Sequence, residues 1–365
     1  MTIGATTSDQ EYDRATAVKQ FDESKIGVKG LVDSGVTTIL PFFVHPPENL
    51  PKSTPSTTPP ASNIIPIVDL TGVDSDRRPR IVEQIRDAAR EFGFFQIINH
   101  GVPSDVINST IGAIKAFNEQ PTEVKSQFYT REMSRGVSFS TNFDLYRTKA
   151  AVWRDTVQMN LCPNPPVIEV IPAIFQRETL EWDQQVTRLG EILMEILSEG
   201  LGVKPERLKD LSCLEGRYMV AHYYPYCPQP DLTLGTKSHT DPGVLTVLLQ
   251  NHMGGLQVKY GDEWLDVKPV SDALVINIGD VLQMLSNDEY KSVEHRVLAN
   301  PHREPRISIA IFLNPSRKEN FYGPLLELTS PDKPALFRQF TLSEFMEKFM
   351  TKEPDCTSLV NFFGL

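Results

Sequence analysis

The stretch 218–313 restricts the fold most. It breaks into the short runs 218–224, 235–239, 244–250, 256–260, 264–267, 273–278, 292–298 and 306–313, several separated by turn pairs such as Gly254-Gly255 and Gly261-Asp262. Turn signals at this spacing suit strands folded into two packed sheets. The pattern predicts an α+β protein with a mainly β core: a jelly-roll barrel, or double-stranded β-helix, with flanking helices. One helix is expected to be long. Over 172–201, Ile174, Leu180, Val186, Leu189, Ile192, Leu193, Ile196 and Leu197 form an apolar stripe that stops at Gly200 and Gly202. That stripe should pack against a sheet and hold no cofactor.

Upstream, strand-like runs are expected at 64–70, 94–99, 136–140 and 153–161, with helices at 78–92, 104–117 and 121–128. Ser104 is expected to cap its helix and Pro121 to open the next. A last helix over 342–350 should carry a capping box of Thr341 and Glu344. Residues 1–10 are polar and read as disordered, 11–35 as a helical segment docked on the body, and 46–60, rich in Pro, Ser and Thr, as an extended connector outside any helix or sheet. The expected divisions are 1–63 for the extension and connector, 64–210 for a helix-and-strand region, 211–320 for the barrel, and 321–365 for a C-terminal segment.

Chemistry concentrates at His239-Thr240-Asp241 and at His295. Residues two apart on a strand leave on the same face, so His239 and Asp241 should point together, with His295 arriving from another strand. Two imidazoles and one carboxylate that leave half a coordination sphere free suit a non-haem Fe(II) centre that activates O2. Arg306 and Ser308 repeat the two-residue spacing. A guanidinium fork beside a metal asks for a carboxylate, because a buried Arg without an anion is costly.

With these pieces the chain resembles the plant 2-oxoglutarate-dependent dioxygenases. Ala-His-Tyr-Tyr-Pro-Tyr-Cys-Pro-Gln-Pro at 221–230 is similar to that family's N-Y-Y-P-x-C-P-Q-P segment, and 91–103 to its G-F-F-x-x-x-N-H-G signature. The resemblance covers about residues 20–360, and 22–35 looks most like the group named homologues of 1-aminocyclopropane-1-carboxylate oxidase. It implies Fe(II) on His239, Asp241 and His295, and 2-oxoglutarate held by Arg306, Ser308 and Tyr224. O2 would be the oxidant and ascorbate an activator. It implies a substrate pocket at Val137, Phe139, Val220, Phe312 and Asn314, and a structural role for His100. His222 stands where the family has Asn, a departure that places a titratable ring two residues before Tyr224. The pocket set holds no Lys or Arg, which favours a neutral or aromatic small molecule over a free amino acid.

Three rivals share parts of the pattern: an ascorbate-dependent oxidase of 1-aminocyclopropane-1-carboxylate, a zinc hydrolase, and a silent binding protein on the same barrel. The long N-terminal extension fits the first poorly, and the second leaves Arg306 and Ser308 unexplained. Every ligand position keeps a competent residue type, against the third. With 36 basic and 47 acidic residues the net charge is −11, which argues against a nucleic-acid partner. Cys162, Cys213, Cys227 and Cys356 are scattered and read as free thiols. No signal peptide or membrane span is evident, so a cytosolic monomer acting on a small molecule is expected.

Overall fold

The computed structural model describes residues 12–51, 65–132, 135–351 and 358–365. The expected disordered N-terminus, most of the Pro-rich connector and Cys356 lie outside the described residues. The strands of the two main sheets are β1 Ile67–Asp69, β2 Phe94–Ile98, β3 Val137–Ser140, β4 Asp155–Cys162, β5 Gly216–Tyr224, β6 Leu234–His239, β7 Leu245–Gln250, β8 Leu256–Tyr260, β9 Glu263–Asp266, β10 Leu274–Ile278, β11 His295–Leu298 and β12 Arg306–Asn314; Phe321–Tyr322 and Phe340–Thr341 pair as a small separate sheet. An eight-stranded sheet runs β1-β2-β10-β7-β12-β5-β4-β3, and a four-stranded sheet runs β6-β11-β8-β9. Apart from the parallel β1–β2 pair, neighbours in these two sheets are antiparallel. Together they form the expected jelly roll.

Strand alternation divides the large sheet cleanly. Odd-numbered residues of β12, β5 and β7, such as Ile307, Ile309, Ala221, Tyr223, Val247 and Leu249, join the core beneath the helices. Even-numbered ones, such as Arg306, Ser308, His222, Tyr224 and Gln250, face the small sheet. Between the sheets Phe94, Tyr224, Leu256, Val258, Val275 and Val297 make a separate apolar cluster. β1–β4 lie in the same eight-stranded sheet as β5, β7, β10 and β12, and their apolar residues share one core cluster, so this sheet crosses the expected division at 210/211.

The helix Gln176–Gly200 covers the outer face with Val186, Leu189, Leu193, Ile196 and Leu197 buried. Leu180 leaves the expected stripe and is 46% exposed; it shares its helix face with Gln176, Arg177 and Gln184, which are polar. Two other caps differ from expectation. Pro103, not Ser104, holds the cap position of Ser104–Asn118, and Pro121 sits outside Thr122–Lys125 rather than in its first turn. The extended backbone that proline favours (ψ 140° at Pro103 and 146° at Pro121) suits the non-helical side of a helix start. At the last helix, Leu342–Thr351, half of the capping box forms: Glu344 N–H donates to Thr341 Oγ1 at 3.1 Å, while the Glu344 carboxylate takes Arg338 at 2.7 Å. Within the connector, Pro47–Asn49 makes one 3-10 turn, since proline pre-sets the first-turn dihedral.

The N-terminal helices Arg14–Ser24 and Gly27–Asp33 dock on the body through Val18, Phe21, Val28, Phe42, Phe43 and Trp153. Asp155, fully buried at the start of β4, accepts from the N–H groups of Val28 and Lys29 at 2.8 Å each and from the Thr141 hydroxyl. His45 closes the same junction, its Nε2 2.9 Å from the Ala151 carbonyl. Burial, partly offset by that hydrogen bond, lowers its pKa to about 4. The unfolded chain takes up this proton near pH 6.5, so stability is whole above that pH and is lost as pH falls towards 4, by roughly 3 kcal/mol. His45→Gln keeps a donor for Ala151 without titrating. Its urea midpoint should therefore fall less steeply between pH 6.5 and 4 than that of the parent; equal slopes would assign the acid loss to other groups.

Cys162, Cys213 and Cys227 are free thiols, and burial pushes both Cys213 and Cys227 up to about 12. Among the described residues no helix is long and apolar enough to cross a membrane.

Candidate active site

β6 ends on His239 and β11 begins on His295, and the two are antiparallel partners. Partners across a ladder share a face, which brings the rings to 4.2 Å between centroids. Asp241 lies beyond the end of β6, in a loop rather than on the strand that its spacing predicts. Other contacts pin that loop. Asp280 N–H donates to the Asp241 carbonyl at 2.8 Å, Val281 N–H to the Gly243 carbonyl at 3.0 Å, and Thr240 Oγ1 to the Asp280 carboxylate at 3.1 Å. The approach requires a glycine, since a Cβ at Gly279 would sit 2.2 Å from the Gly243 carbonyl oxygen.

His239 Nδ1 faces the Lys237 carbonyl at 2.9 Å, and His295 Nδ1 faces that of Val293 at 3.2 Å. Carbonyls only accept, so each Nδ1 carries the hydrogen and each Nε2 keeps its lone pair. Asp241 Oδ2 accepts from Thr246 Oγ1 at 2.5 Å and Asn277 Nδ2 at 2.8 Å. Oδ1 turns to the imidazoles, 3.5 Å from His239 Nε2 and 3.6 Å from His295 Nε2. Ligand atoms of all three residues lie within 4.8 Å of one another. Burial and the neighbouring His239 lower His295 to about 4, leaving it neutral. Burial raises the Asp241 carboxyl, and the hydrogen bond from Thr246 acts to lower it. Two imidazoles and one carboxylate on one side of a point suit a divalent iron with open positions.

Arg306 pairs across the ladder with Tyr224, its guanidinium 4.9 Å from that ring's centre. It is 1% exposed. Its Nη2 donates to Gln250 Oε1 at 2.8 Å, while Nε and Nη1 are buried with no hydrogen-bond partner. Burial pushes its pKa down, with Arg154 adding to the effect. Two idle donors on a buried cation fit a carboxylate such as the distal one of 2-oxoglutarate. Ser308, on the same face, stands opposite His222 and Gln250. Tyr224 Oη lies 3.1 Å from Thr236 Oγ1.

His222 faces inward with its Nδ1 3.0 Å from Thr156 Oγ1. Burial, then the Arg154 and Arg306 guanidiniums, hold it neutral. His100 bonds to backbone, with Nε2 2.8 Å from the Asp272 carbonyl and Nδ1 accepting from Val102 N–H at 3.2 Å.

The five expected pocket residues separate. Val220, Phe312 and Asn314 lie on the inward face, Phe312 opposite both Tyr218 and Thr246. Val137 and Phe139 do not join them. They pair with Met159 and Val157 and belong to the core beneath the helices, where Phe139 meets Phe117 edge-on at 5.3 Å. The same strand turns Ser138 and Ser140 to the other face, opposite Gln158 and Thr156. A cavity of about 460 Å³ opens farther along, lined by Asn160 and Tyr218 of this face together with Arg135 and the 164–170 loop.

Residues 216–315 match the model of the 2OG-Fe(II) oxygenase superfamily, and 65–173 that of the non-haem dioxygenase in morphine synthesis N-terminal region. The chain is 46% identical over 350 residues to 1-aminocyclopropane-1-carboxylate oxidase homolog 1 of Arabidopsis thaliana, covering 95% of each. It is 41% identical over 363 residues to a homolog of that oxidase from Solanum lycopersicum, covering 98% of each. The crystal structure of JOX2 in complex with 2OG, Fe and JA superposes with a TM-score of 0.80 at 30% identity, covering 93% of this chain and 97% of JOX2.

Proposed function

We propose, on the premise that this chain belongs to the 2OG-Fe(II) oxygenase superfamily, that it hydroxylates a small molecule of plant specialised metabolism. It is a dioxygenase that uses Fe(II), 2-oxoglutarate and O2. The observation that carries the reading is the convergence of three metal-competent side chains, two on the small sheet and one in the loop after β6, while Arg306 on the facing large sheet keeps two buried donors idle.

In this reading His239, Asp241 and His295 hold the iron, and Arg306, Ser308 and Tyr224 hold the distal carboxylate of 2-oxoglutarate. Bound there, metal and cosubstrate together supply an oxidant able to break a C–H bond, with 2-oxoglutarate leaving as succinate and CO2. The chain's own share is placement and exclusion. Lys237 and Val293 fix the ring tautomers through their carbonyls, and Thr246 and Asn277 hold one carboxylate oxygen so that the other faces the metal. The apolar cluster between the sheets keeps water from the reacting centre.

The substrate would lie along Val220, Phe312 and Asn314, with Gln158, Asn160 and Tyr218 on the same face. This surface mixes aromatic groups with uncharged hydrogen-bonding ones, which suits an oxygenated aromatic or alicyclic molecule. JOX2 was crystallised in complex with 2OG, Fe and JA, and a third occupant besides metal and cosubstrate is consistent with that here.

The test is anaerobic titration of the Fe(II)-loaded protein with 2-oxoglutarate, followed by admission of O2. A saturable visible charge-transfer band and then succinate release are expected, and candidate metabolites can be ranked by how far each accelerates that release. Bound iron without a band would overturn the cosubstrate assignment in favour of an ascorbate-type oxidase.

A further inference from the structure

Trp153, Arg154 and Asp155 are consecutive, but they face different ways. Trp153 packs on Phe43, with ring centres 5.0 Å apart, and Asp155 holds the N-terminal helix Gly27–Asp33. Arg154 goes to the opposite side. By strand alternation it stands on the inward face beside Tyr224, since Asp155 pairs with Tyr223. Its Nη1 crosses to the small sheet and donates to Thr236 Oγ1, and its Nε is buried with no hydrogen-bond partner.

A short relay follows. Thr236 Oγ1 lies 3.1 Å from Tyr224 Oη. A guanidinium can only donate, so Arg154 occupies one lone pair of Thr236; either hydroxyl can donate in the Thr236–Tyr224 bond, and in one of the two arrangements the threonine's hydrogen goes to Tyr224. Tyr224, accepting from Thr236 in that arrangement, keeps its own hydrogen for an acceptor in the space beside Ser308 and Arg306. Arg154 and Arg306 also act on Tyr224 together. Burial opposes ionisation of the phenol, yet the two guanidiniums and the nearby hydroxyls of Thr236 and Ser308 bring its pKa below the ordinary tyrosine value. That is the field a dicarboxylate would meet.

We propose that Arg154 is a positioning residue of the cosubstrate pocket: through Thr236 it aims the Tyr224 hydroxyl as a donor at the distal carboxylate of 2-oxoglutarate, and it adds a second guanidinium that favours a 2-oxo dicarboxylate over a 2-oxo monocarboxylate. This rests on the reading that Arg306, Ser308 and Tyr224 hold that carboxylate.

The experiment compares 2-oxoglutarate with 2-oxobutyrate, which lacks the distal carboxylate, by anaerobic calorimetric titration of the full-length protein carrying Fe(II). Arg154→Met and Thr236→Val should each weaken 2-oxoglutarate about tenfold, the loss of one charge-assisted contact. The double variant should lose little more than either single one, because both break the same relay. Binding of 2-oxobutyrate should stay at the wild-type value in all three, and Arg154→Lys should recover part of the loss. Wild-type 2-oxoglutarate affinity in Arg154→Met, or equal losses for both acids with a lowered melting temperature, would overturn the proposal and leave Arg154 a purely structural residue. Failure of the underlying reading looks different: the wild-type protein would then bind the two acids equally, and Arg306→Met would change neither.

Discussion

Asp241→Asn is expected to abolish tight Fe(II) binding and 2-oxoglutarate turnover while moving the melting temperature by no more than a few degrees. The substitution is nearly isosteric. An amide oxygen at the Oδ2 position still accepts from Thr246 and Asn277, the two donors that orient the native carboxylate. What changes is the atom aimed at His239 and His295, which becomes an NH2 group that cannot coordinate a cation. Flipping the amide would set its NH2 against the NH2 of Asn277, so the surrounding bonds hold the inactive orientation. Asp241→Ala tests the same point less cleanly, because it leaves both donors orphaned at about 1–3 kcal/mol each. Metal content after anaerobic reconstitution and a thermal melt of the same sample provide the check. Stoichiometric iron with wild-type turnover in Asp241→Asn would remove this residue from the ligand set, whereas loss of iron together with loss of the fold would make its role structural.

The convergence behind that expectation was legible because residue type and spacing speak for themselves when strands are short and well punctuated. Each run in 218–313 became a strand, with ends displaced by at most a few residues. The supports of the cluster were harder to see. The histidine anchors are backbone carbonyls two residues upstream, which any sequence supplies, so Lys237 and Val293 give no signal. Thr246 and Asn277 did leave one: each is a polar residue inside an apolar strand, at Leu245–Gln250 and Leu274–Ile278, where a buried polar group needs a partner. Asp241 left its strand because the chain turns there to meet Asp280, a tertiary contact that period-2 spacing cannot encode.

Val137 and Phe139 teach the opposite lesson. Val-Ser-Phe-Ser alternates, and on a half-buried strand the apolar set belongs to the core. Assigning those two side chains to a pocket put resemblance ahead of alternation. Ser138, Ser140 and Gln158 hold the inward positions instead. Arg154 qualifies the charge argument in the same way. It is absent from the expected pocket set, yet its guanidinium enters the space between the sheets, near Tyr224 rather than near Phe312. The lack of cations among Val220, Phe312 and Asn314 still describes the surface proposed for substrate, while positive charge gathers where a dicarboxylate would end.

That separation gives Arg306→Met opposite signs in stability and in binding. Without cosubstrate, Arg306 is a buried cation with one bond to Gln250 and two idle nitrogens, a state that burial disfavours. Replacing such a group with an apolar side chain of similar length is often neutral or stabilising, so the ligand-free variant should melt at or above the parent's temperature. Binding should collapse. Removing one member of a buried, hydrogen-bonded charge pair costs about 2–5 kcal/mol, which raises the dissociation constant for 2-oxoglutarate by roughly thirty-fold to several thousand-fold. Arg306→Lys should fall between, since a point charge cannot reproduce the planar fork or its seat over the Tyr224 ring. Thermal melts with and without saturating 2-oxoglutarate read both effects at once, because a ligand that binds the native state raises its melting temperature by mass action. The parent should shift upward and Arg306→Met should not, from an equal or higher starting point. A large drop in the ligand-free melting temperature of Arg306→Met would mean that the guanidinium serves the fold itself, and a preserved ligand shift would move the carboxylate site elsewhere in the barrel.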